Sequence, residues 1–585
     1  MRARKEQVFF GLGVSPGIGI GEVHERESGG VDVPEYAIPA KDVTKEHKRL
    51  QAAVSGARHQ IERLRAKAKT LPATAAEEMD LLLDAYLQML KDSRLVRGAK
   101  DRILTERVNA EAAVQGELTE ISTTFSNMDD VYLAARLDDI REVAQRLIQN
   151  LVKAPRSSVS NVPKGSVIVA EELTPADTAQ LDPSRIVGFA TAHGGAEGHT
   201  AIMARALALP AVFGAPELLQ EAKNKDKIII DGDLGCIVIN PKLSTLAAYE
   251  RRKLETHQKN KQLSRIRNQP SVTPDGTTID LQANMELPIQ LGPIGQMGAT
   301  GIGLLRSEFM FMNRPDLPSE DEQCRALTKI IKGMDGQPVT VRTLDIGGDK
   351  IATSLLDRFG DSVYSALGLR GIRLSLAHTE VFETQIKAIL RASSAGPVRI
   401  LLPMVSANSE IRKAREIVKR MARTLKRRKI PMATELPPIG VMIEVPAAAL
   451  SADALAQTAD FFAIGSNDLT MYTLAIDRSD KQVASLFNPL HPSVLRLIQF
   501  SLQAALRARI PVSICGEMAG DPNFTALLLG LGFRELSMTA ASIPKVKQRI
   551  RNLDLLAAEA RVRVIMDQVD SGRITMLLED FNALA

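Results

Sequence analysis

Between residues 42 and 152, apolar residues recur at spacings of three and four. Leu50, Val54, Ala57, Ile61 and Leu64 make one stripe, and Met79, Leu82, Leu83, Tyr86 and Leu90 a second. Val114, Leu118, Ile121 and Phe125 make a third, and Leu133, Leu137, Ile140, Ala144 and Leu147 a fourth. A stripe of this period lets a helix bury one face, so four stripes joined by short breaks predict a helical bundle. On either side the pattern changes to short apolar runs. VFFGLGVSPGIGIGEVH (8–24) reads as strands about tight turns, and 165–170, 186–190, 227–231 and 235–239 read as further strands. The bundle therefore interrupts an α/β domain.

Residues 244–268 are highly charged and lack a wide apolar face, which fits a linker helix with hinge motion about its ends. After Pro270, strand then helix repeats eight times, with strands at 278–283, 301–305, 339–341, 399–402, 439–443, 461–465, 512–514 and 536–538. Eight such units predict a (β/α)8 TIM barrel. The fold class is thus multidomain α/β, with an α/β domain at 1–35 and 153–243, helices at 36–152, a linker helix at 244–268 and a barrel at 269–585. The barrel strands end on Asn284, Arg306, Arg342, Met404, Glu444, Asn467 with Asp468, Cys515 and Met538. Active sites of this fold form at that face. Two arginines, two carboxylates and a thiol on separate strand ends are more than a packed core requires.

Composition narrows the function classes. A chain of 585 residues is too long for one core. No apolar run approaches the ~20 residues of a membrane span, and Gly11, Gly13 and Pro16 end the Val8-Phe9-Phe10 run too early for a signal peptide. Cys236, Cys324 and Cys515 are too few and too scattered for a disulfide framework or a zinc pattern, so a reducing, cytoplasmic setting is expected. The basic runs Lys419-Arg420 and Lys426-Arg427-Arg428-Lys429 interrupt a helical pattern and read as a solvated helix face, not a nucleic-acid surface.

Chemistry concentrates first at Gly194-Gly195-Ala196-Glu197-Gly198-His199-Thr200-Ala201. The glycines open a loop, and no breaker follows His199 until Pro210, which predicts His199 at a helix N-terminus. Unpaired N–H groups there favour an anion and disfavour imidazolium, so a neutral histidine could act as a nucleophile and carry a phosphoryl group. A satisfied loop histidine is the competing reading. The longer segment GGAEGHTAIMARALALPAVFG resembles the phosphohistidine signature of phosphoenolpyruvate-using enzymes. From the Ser-Pro-Gly-Ile at Ser15 to the last helix, the chain is similar to the enzyme I family of the phosphoenolpyruvate-dependent phosphotransferase system.

That resemblance implies a swivelling phosphohistidine domain, autophosphorylation of His199 with release of pyruvate, and transfer to a histidine of HPr or an HPr-like carrier. The helical insertion, with Leu82–Asp92 and Asp129–Arg141, would receive the carrier, although Tyr86 stands where several relatives have His. Arg306 in LLRSEF, Arg342 in VRTLDIGGDK, Arg370 in LGLRGIR and Arg478 in LAIDR would grip substrate anions, with Asn467 donating to the phosphate. Glu444 and Asp468 supply hard oxygen ligands for Mg²⁺, which needs few protein carboxylates beside substrate oxygens and water. Cys515 in ICGEMAG would protonate enolpyruvate, Glu517 would orient or reprotonate that thiol, and Thr178 would fix the tautomer of His199. A homodimer through the barrel is a further implication. Departures from the family pattern are Glu197-Gly198 for Thr-Ser, Tyr364-Ser365 for Asn-Pro, and Met471 for Gln. Competing readings are the nitrogen-related regulatory enzyme I, here without its N-terminal sensory domain, and a phosphoenolpyruvate-binding regulator without turnover.

Overall fold

The computed structural model describes all residues except 1–4, 27–32, 69–72, 127–130, 153–161, 174, 179–180, 183, 195–198, 208, 287, 312–315, 346–365, 478–482 and 585. The chain forms two compact units, Met1–Gln258 and Lys259–Ala585.

In the first unit, β1 (Gln7–Phe10), β2 (Leu12–Ser15), β3 (Ile18–Arg26), β4 (Ser166–Ala170), β5 (Ile186–Thr191), β6 (Ala211–Phe213), β7 (Lys227–Asp231) and β8 (Cys236–Ile239) form one sheet. Its order is β1-β8-β7-β3-β4-β5-β6-β2. Only Gly11 separates β1 from β2, yet they stand at opposite ends of this order. An open sheet of this width would part them by ~30 Å, which one residue cannot bridge, so the sheet curls round on itself. Close packing explains the Gly-x-Gly pattern at Gly19 and Gly21. A Cβ on Gly21 would lie 2.2 Å from the carbonyl oxygen of Gly165. Gly21→Ala should therefore destabilise this unit by ~1–3 kcal/mol or more. Urea unfolding of the full chain checks it, and an unchanged midpoint for this unit would contradict the packing argument.

The inserted helices are α1 (Val43–Ala68), α2 (Ala73–Asp92), α3 (Arg94–Thr105), α4 (Ala110–Ser126) and α5 (Val131–Val152). Four stripes had implied four helices; the additional one is α3. Its buried face is only Leu95, Val96, Ala99 and Ile103, set among charges, and Ser93 caps it by accepting from the Val96 N–H at 3.4 Å. β6 was also unforeseen, being three residues long between Pro210 and Gly214. Of the expected stripes, Leu50, Ala57, Ile61, Met79, Leu83, Tyr86, Val114 and Leu147 are buried and Val54 and Ile140 half-buried, while the side chains of Phe125 and Leu133 lie outside the described residues. Tyr86 donates from its hydroxyl to Asp139 at 3.1 Å, so it fastens α2 to α5 from within and shows little surface to any partner.

The charged helix Leu243–Ile266 follows β8. Its first turns belong to the first unit, where Arg252 pairs with the fully buried side chain of Asp231 and Tyr249 bonds Cys236.

In the second unit, β9 (Asp280–Met285), β10 (Ile302–Arg306), β11 (Val339–Arg342), β12 (Val398–Leu402), β13 (Ile439–Ile443), β14 (Phe462–Gly465), β15 (Val512–Cys515) and β16 (Glu535–Thr539) close a parallel barrel. β16 closes on β9 through Glu535↔Asp280 to Thr539↔Asn284. The helix Asn408–Arg427 buries Ile411, Ala414, Ile417, Val418, Met421 and Leu425 and leaves Lys419, Arg420, Lys426 and Arg427 exposed, the solvated face expected of that basic run. Among the described residues no helix is long and apolar enough to cross a membrane.

Candidate active site

The barrel brings together most of the strand-end residues. Arg306, Arg342 and Cys515 are the last residues of β10, β11 and β15, and Glu444 directly follows β13. Asn467 and Asp468 lie in the first turn of the helix Ser466–Leu474, just past β14. A parallel strand followed by its helix turns the chain outward at one rim, so these side chains converge there.

Arg342 is the buried centre. Its Nη2 donates to Glu308 Oε1 at 3.0 Å and its Nη1 lies 3.1 Å from Asp345 Oδ2. Its Nε and Oε2 of Glu308 are buried and have no hydrogen-bond partner among the described residues. Burial alone would lower the pKa of this guanidinium, but Glu308, Asp345, Glu444 and Asp468 together raise it, so it stays charged. Arg370 grips Asp345 with Nε and Nη2 at 3.1 and 2.9 Å, donates from Nη1 to the Tyr472 hydroxyl at 3.1 Å, and lies 3.7 Å from Asp468. Arg306 is more exposed and donates to Glu286 at 2.6 Å.

Glu444 is buried, and its Oε1 accepts the Met404 N–H at 2.7 Å. Met404 reaches that position with φ 57°, a left-handed conformation costly outside glycine, so the chain there is shaped around the carboxylate. Burial pushes the Glu444 carboxyl well above the ordinary range, and repulsion from Asp468 and Asp345 adds to it. Crowded carboxylates of this kind suit a divalent cation, whose charge would relieve the repulsion. Among the described residues no cluster of three or more His, Cys, Asp or Glu could hold a metal by itself. Two carboxylates completed by substrate and water fit Mg²⁺, whereas a closed zinc site would need four protein ligands.

Cys515 is buried, and its thiol donates to the Ile464 carbonyl at 3.4 Å. Burial first, then the charge of Glu444, push this thiol up to about 12, against the opposing pull of Arg342 and Arg306. The group is therefore a neutral S–H at physiological pH. Iodoacetamide at pH 8 should modify half-buried Cys324 well before Cys515, whose thiolate is on the order of a thousandfold scarcer than that of an ordinary thiol. Peptide mapping checks this, and rapid labelling of Cys515 would contradict it.

Glu517 exchanges two hydrogen bonds with Asn467: its N–H donates to Asn467 Oδ1 at 3.0 Å, and Asn467 Nδ2 donates to its carboxylate at 3.2 Å. It thus orients the amide, a contact that reading Glu517 as a partner of the thiol did not foresee. The amide's second N–H remains directed elsewhere, as a substrate donor requires. Gly516, at φ +102°, makes this possible; a Cβ there would lie 2.4 Å from Ser466 Oγ. Met471 is half-buried on the same helix.

The segment around His199 lies in the first unit. His199 opens the helix α7 (His199–Ala206), as its sequence predicts, one of whose neighbours is α2. Thr200 donates to the Leu173 carbonyl at 2.7 Å and Arg205 to the Val14 carbonyl at 3.2 Å, fixing α7 to the sheet. Thr178 ends the short helix α6 (Pro175–Thr178), is fully buried, and α6 packs beside α7. Glu197-Gly198, Tyr364-Ser365 and Arg478 lie outside the described residues, as does the side chain of His199. Glu308, Asp345 and Tyr472 were not singled out from the sequence, although Glu308 and Asp345 stand inside the LLRSEF and VRTLDIGGDK segments.

Three segments match PEP-utilising enzymes: the N-terminal domain over residues 10–136, the mobile domain over 162–235 and the PEP-binding domain over 260–555. The chain is similar to the phosphoenolpyruvate-protein phosphotransferase of Cupriavidus necator, 41% identical over 96% of each chain. It is also similar to that of Geobacillus stearothermophilus, 39% identical over 94% of each chain. A solution NMR structure of an enzyme I protein is 31% identical over 43% of this chain and 99% of its own, with a TM-score of 0.38. With near-complete coverage by such relatives, and with arginines, carboxylates and a thiol gathered at the barrel rim, this chain belongs to the phosphoenolpyruvate-protein phosphotransferase family.

Proposed function

We propose that the protein is a phosphoenolpyruvate-protein phosphotransferase that phosphorylates its own His199 and passes the phosphoryl group to a histidine of HPr or an HPr-like carrier. The observation that carries this reading is the convergence of Arg342, Arg370, Glu444, Asp468 and Cys515 at one barrel rim, a site for a small, highly charged anion with a proton donor beside it. In this reading, residues 1–35 and 153–243 carry the phosphohistidine, 36–152 receive the carrier, 244–268 link, and 269–585 bind phosphoenolpyruvate and dimerise.

Arg306, Arg342, Arg370 and Arg478 hold the phosphate and carboxylate of phosphoenolpyruvate, and Asn467 donates to the phosphate. With Mg²⁺ bound at Glu444 and Asp468, the negative charge of the transferring group is partly neutralised. Nε2 of His199 then attacks phosphorus, and the bond from phosphorus to the enol oxygen breaks with its electron pair remaining on oxygen. Cys515 delivers its proton to the methylene carbon, giving pyruvate, and Arg342 and Arg306 stabilise the thiolate until it is reprotonated. Thr178 holds the tautomer of His199. In the next step α2 and α5 receive the carrier. We place the enzyme in the cytoplasm as the first component of a phosphoryl relay.

The test is incubation with phosphoenolpyruvate labelled in its phosphate, in parallel samples holding Mg²⁺ or excess chelator from the start. Acid-labile label on the protein and equimolar pyruvate with Mg²⁺, and neither with chelator, are expected; unlabelled protein with Mg²⁺ present would overturn the reading.

A further inference from the structure

Asp345 stands between the two buried arginines. Its side chain is 1% exposed. Its Oδ2 faces Arg342 Nη1 at 3.1 Å and Arg370 Nη2 at 2.9 Å, while Oδ1 accepts from Arg370 Nε at 3.1 Å. Its own N–H donates to Glu308 Oε1 at 2.9 Å, the oxygen that also receives Arg342 Nη2 at 3.0 Å. Arg342, Asp345 and Glu308 therefore close a ring, so Arg342 cannot turn without breaking two contacts. Arg370 is fixed on its opposite side by Tyr472, whose hydroxyl in turn donates a hydrogen bond to the Ala366 carbonyl at 2.5 Å. Among the described residues these contacts occupy three of the five N–H bonds on the Arg370 guanidinium, the one on Nε and one on each Nη.

We propose that Asp345 is a positioning residue that couples Arg342 and Arg370 into one fixed anion cradle, aligning both guanidiniums on the transferring group. The inference rests on the function proposed above. Its consequence for kinetics has a definite sign. Removing the carboxylate makes the cradle more positive, which favours the anionic substrate in the ground state, while the loosened arginines lose their alignment in the transition state. A residue needed only for folding would change the amount of active protein, and one gripping substrate uniformly would weaken its binding.

The test compares Asp345→Asn, Arg370→Lys and the double variant in single-turnover pyruvate release with Mg²⁺, which requires no carrier. For Asp345→Asn the maximal rate per folded molecule should fall at least ~10-fold, with the half-saturating phosphoenolpyruvate concentration unchanged or lower. The double variant should be within about twofold of the slower single variant, because the two residues act as one unit. An unchanged maximal rate, a raised half-saturating concentration at full rate, or multiplying losses would each overturn the proposal. If Asp345→Asn does not fold, Asp345→Glu keeps the charge and displaces it by a methylene. It should show the same fall in rate, and wild-type turnover in that variant would overturn the proposal. Wild-type protein that releases no pyruvate would show instead that the function reading has failed. Phosphoenolpyruvate affinity by calorimetry then decides the coupling: non-additive effects of the two substitutions support it and additive ones overturn it.

Discussion

His199→Ala is expected to carry no acid-labile phosphate after incubation with labelled phosphoenolpyruvate and Mg²⁺, and to release no pyruvate. The histidine is proposed as the covalent acceptor, so its loss removes the reaction's first product and leaves no bond for the phosphoryl group to form. Substrate affinity should survive within about twofold, because the arginines and carboxylates proposed to bind it belong to the other compact unit. Labelling and calorimetry on the same preparation check both halves. Residual stoichiometric label on the variant would mean that another group accepts the phosphoryl, and weakened binding would mean that His199 also grips substrate.

Cys515→Ala should slow pyruvate formation by ~10²–10⁴, the usual range for losing a positioned general acid. The loss follows from the environment of the thiol. With its pKa pushed up to about 12 it holds its proton at pH 7, yet Arg342 and Arg306 lie close enough to favour the thiolate left after transfer. A proton donor of this kind works across the neutral range, so the wild-type rate should show no fall from thiol ionisation until well above pH 9. Phosphoenolpyruvate binding in the variant should change little, since an uncharged group has been removed. A loss in rate below tenfold would assign protonation of the enol to solvent or to another side chain.

The barrel and its rim were legible because each strand is a short apolar run ended by a residue of distinct chemistry, and a closed parallel barrel projects all such ends to one face. Arg306, Arg342, Glu444 and Cys515 stand where that logic puts them. What the sequence concealed is pairing. Asp345 and Glu308 read as parts of arginine motifs; only the closed barrel sets β10 beside β11, and only then does one carboxylate face two guanidiniums. Glu517 was likewise read beside its sequence neighbour Cys515, whereas the turn at Gly516 carries it to Asn467 on the adjacent strand end. In the bundle, α3 was missed because its apolar face is narrow and much of its hold on α4 is ionic, through Arg94 and Arg102 with Glu117 and Glu120. Such contacts leave no periodic trace.

The curled sheet also dictates an order of events during synthesis. Gln7 pairs with Ile239, and Leu12 with Phe213, so both N-terminal strands emerge from the ribosome more than two hundred residues before their partners exist. At ~5–20 residues per second they wait for roughly ten to fifty seconds, during which the helices of the insertion, whose contacts are closer in sequence, can already assemble. Val8, Phe9 and Phe10 are unpaired strand edge throughout that interval, which makes this apolar segment the one on which a chaperone at the ribosome would act and at which slowed elongation would most favour aggregation.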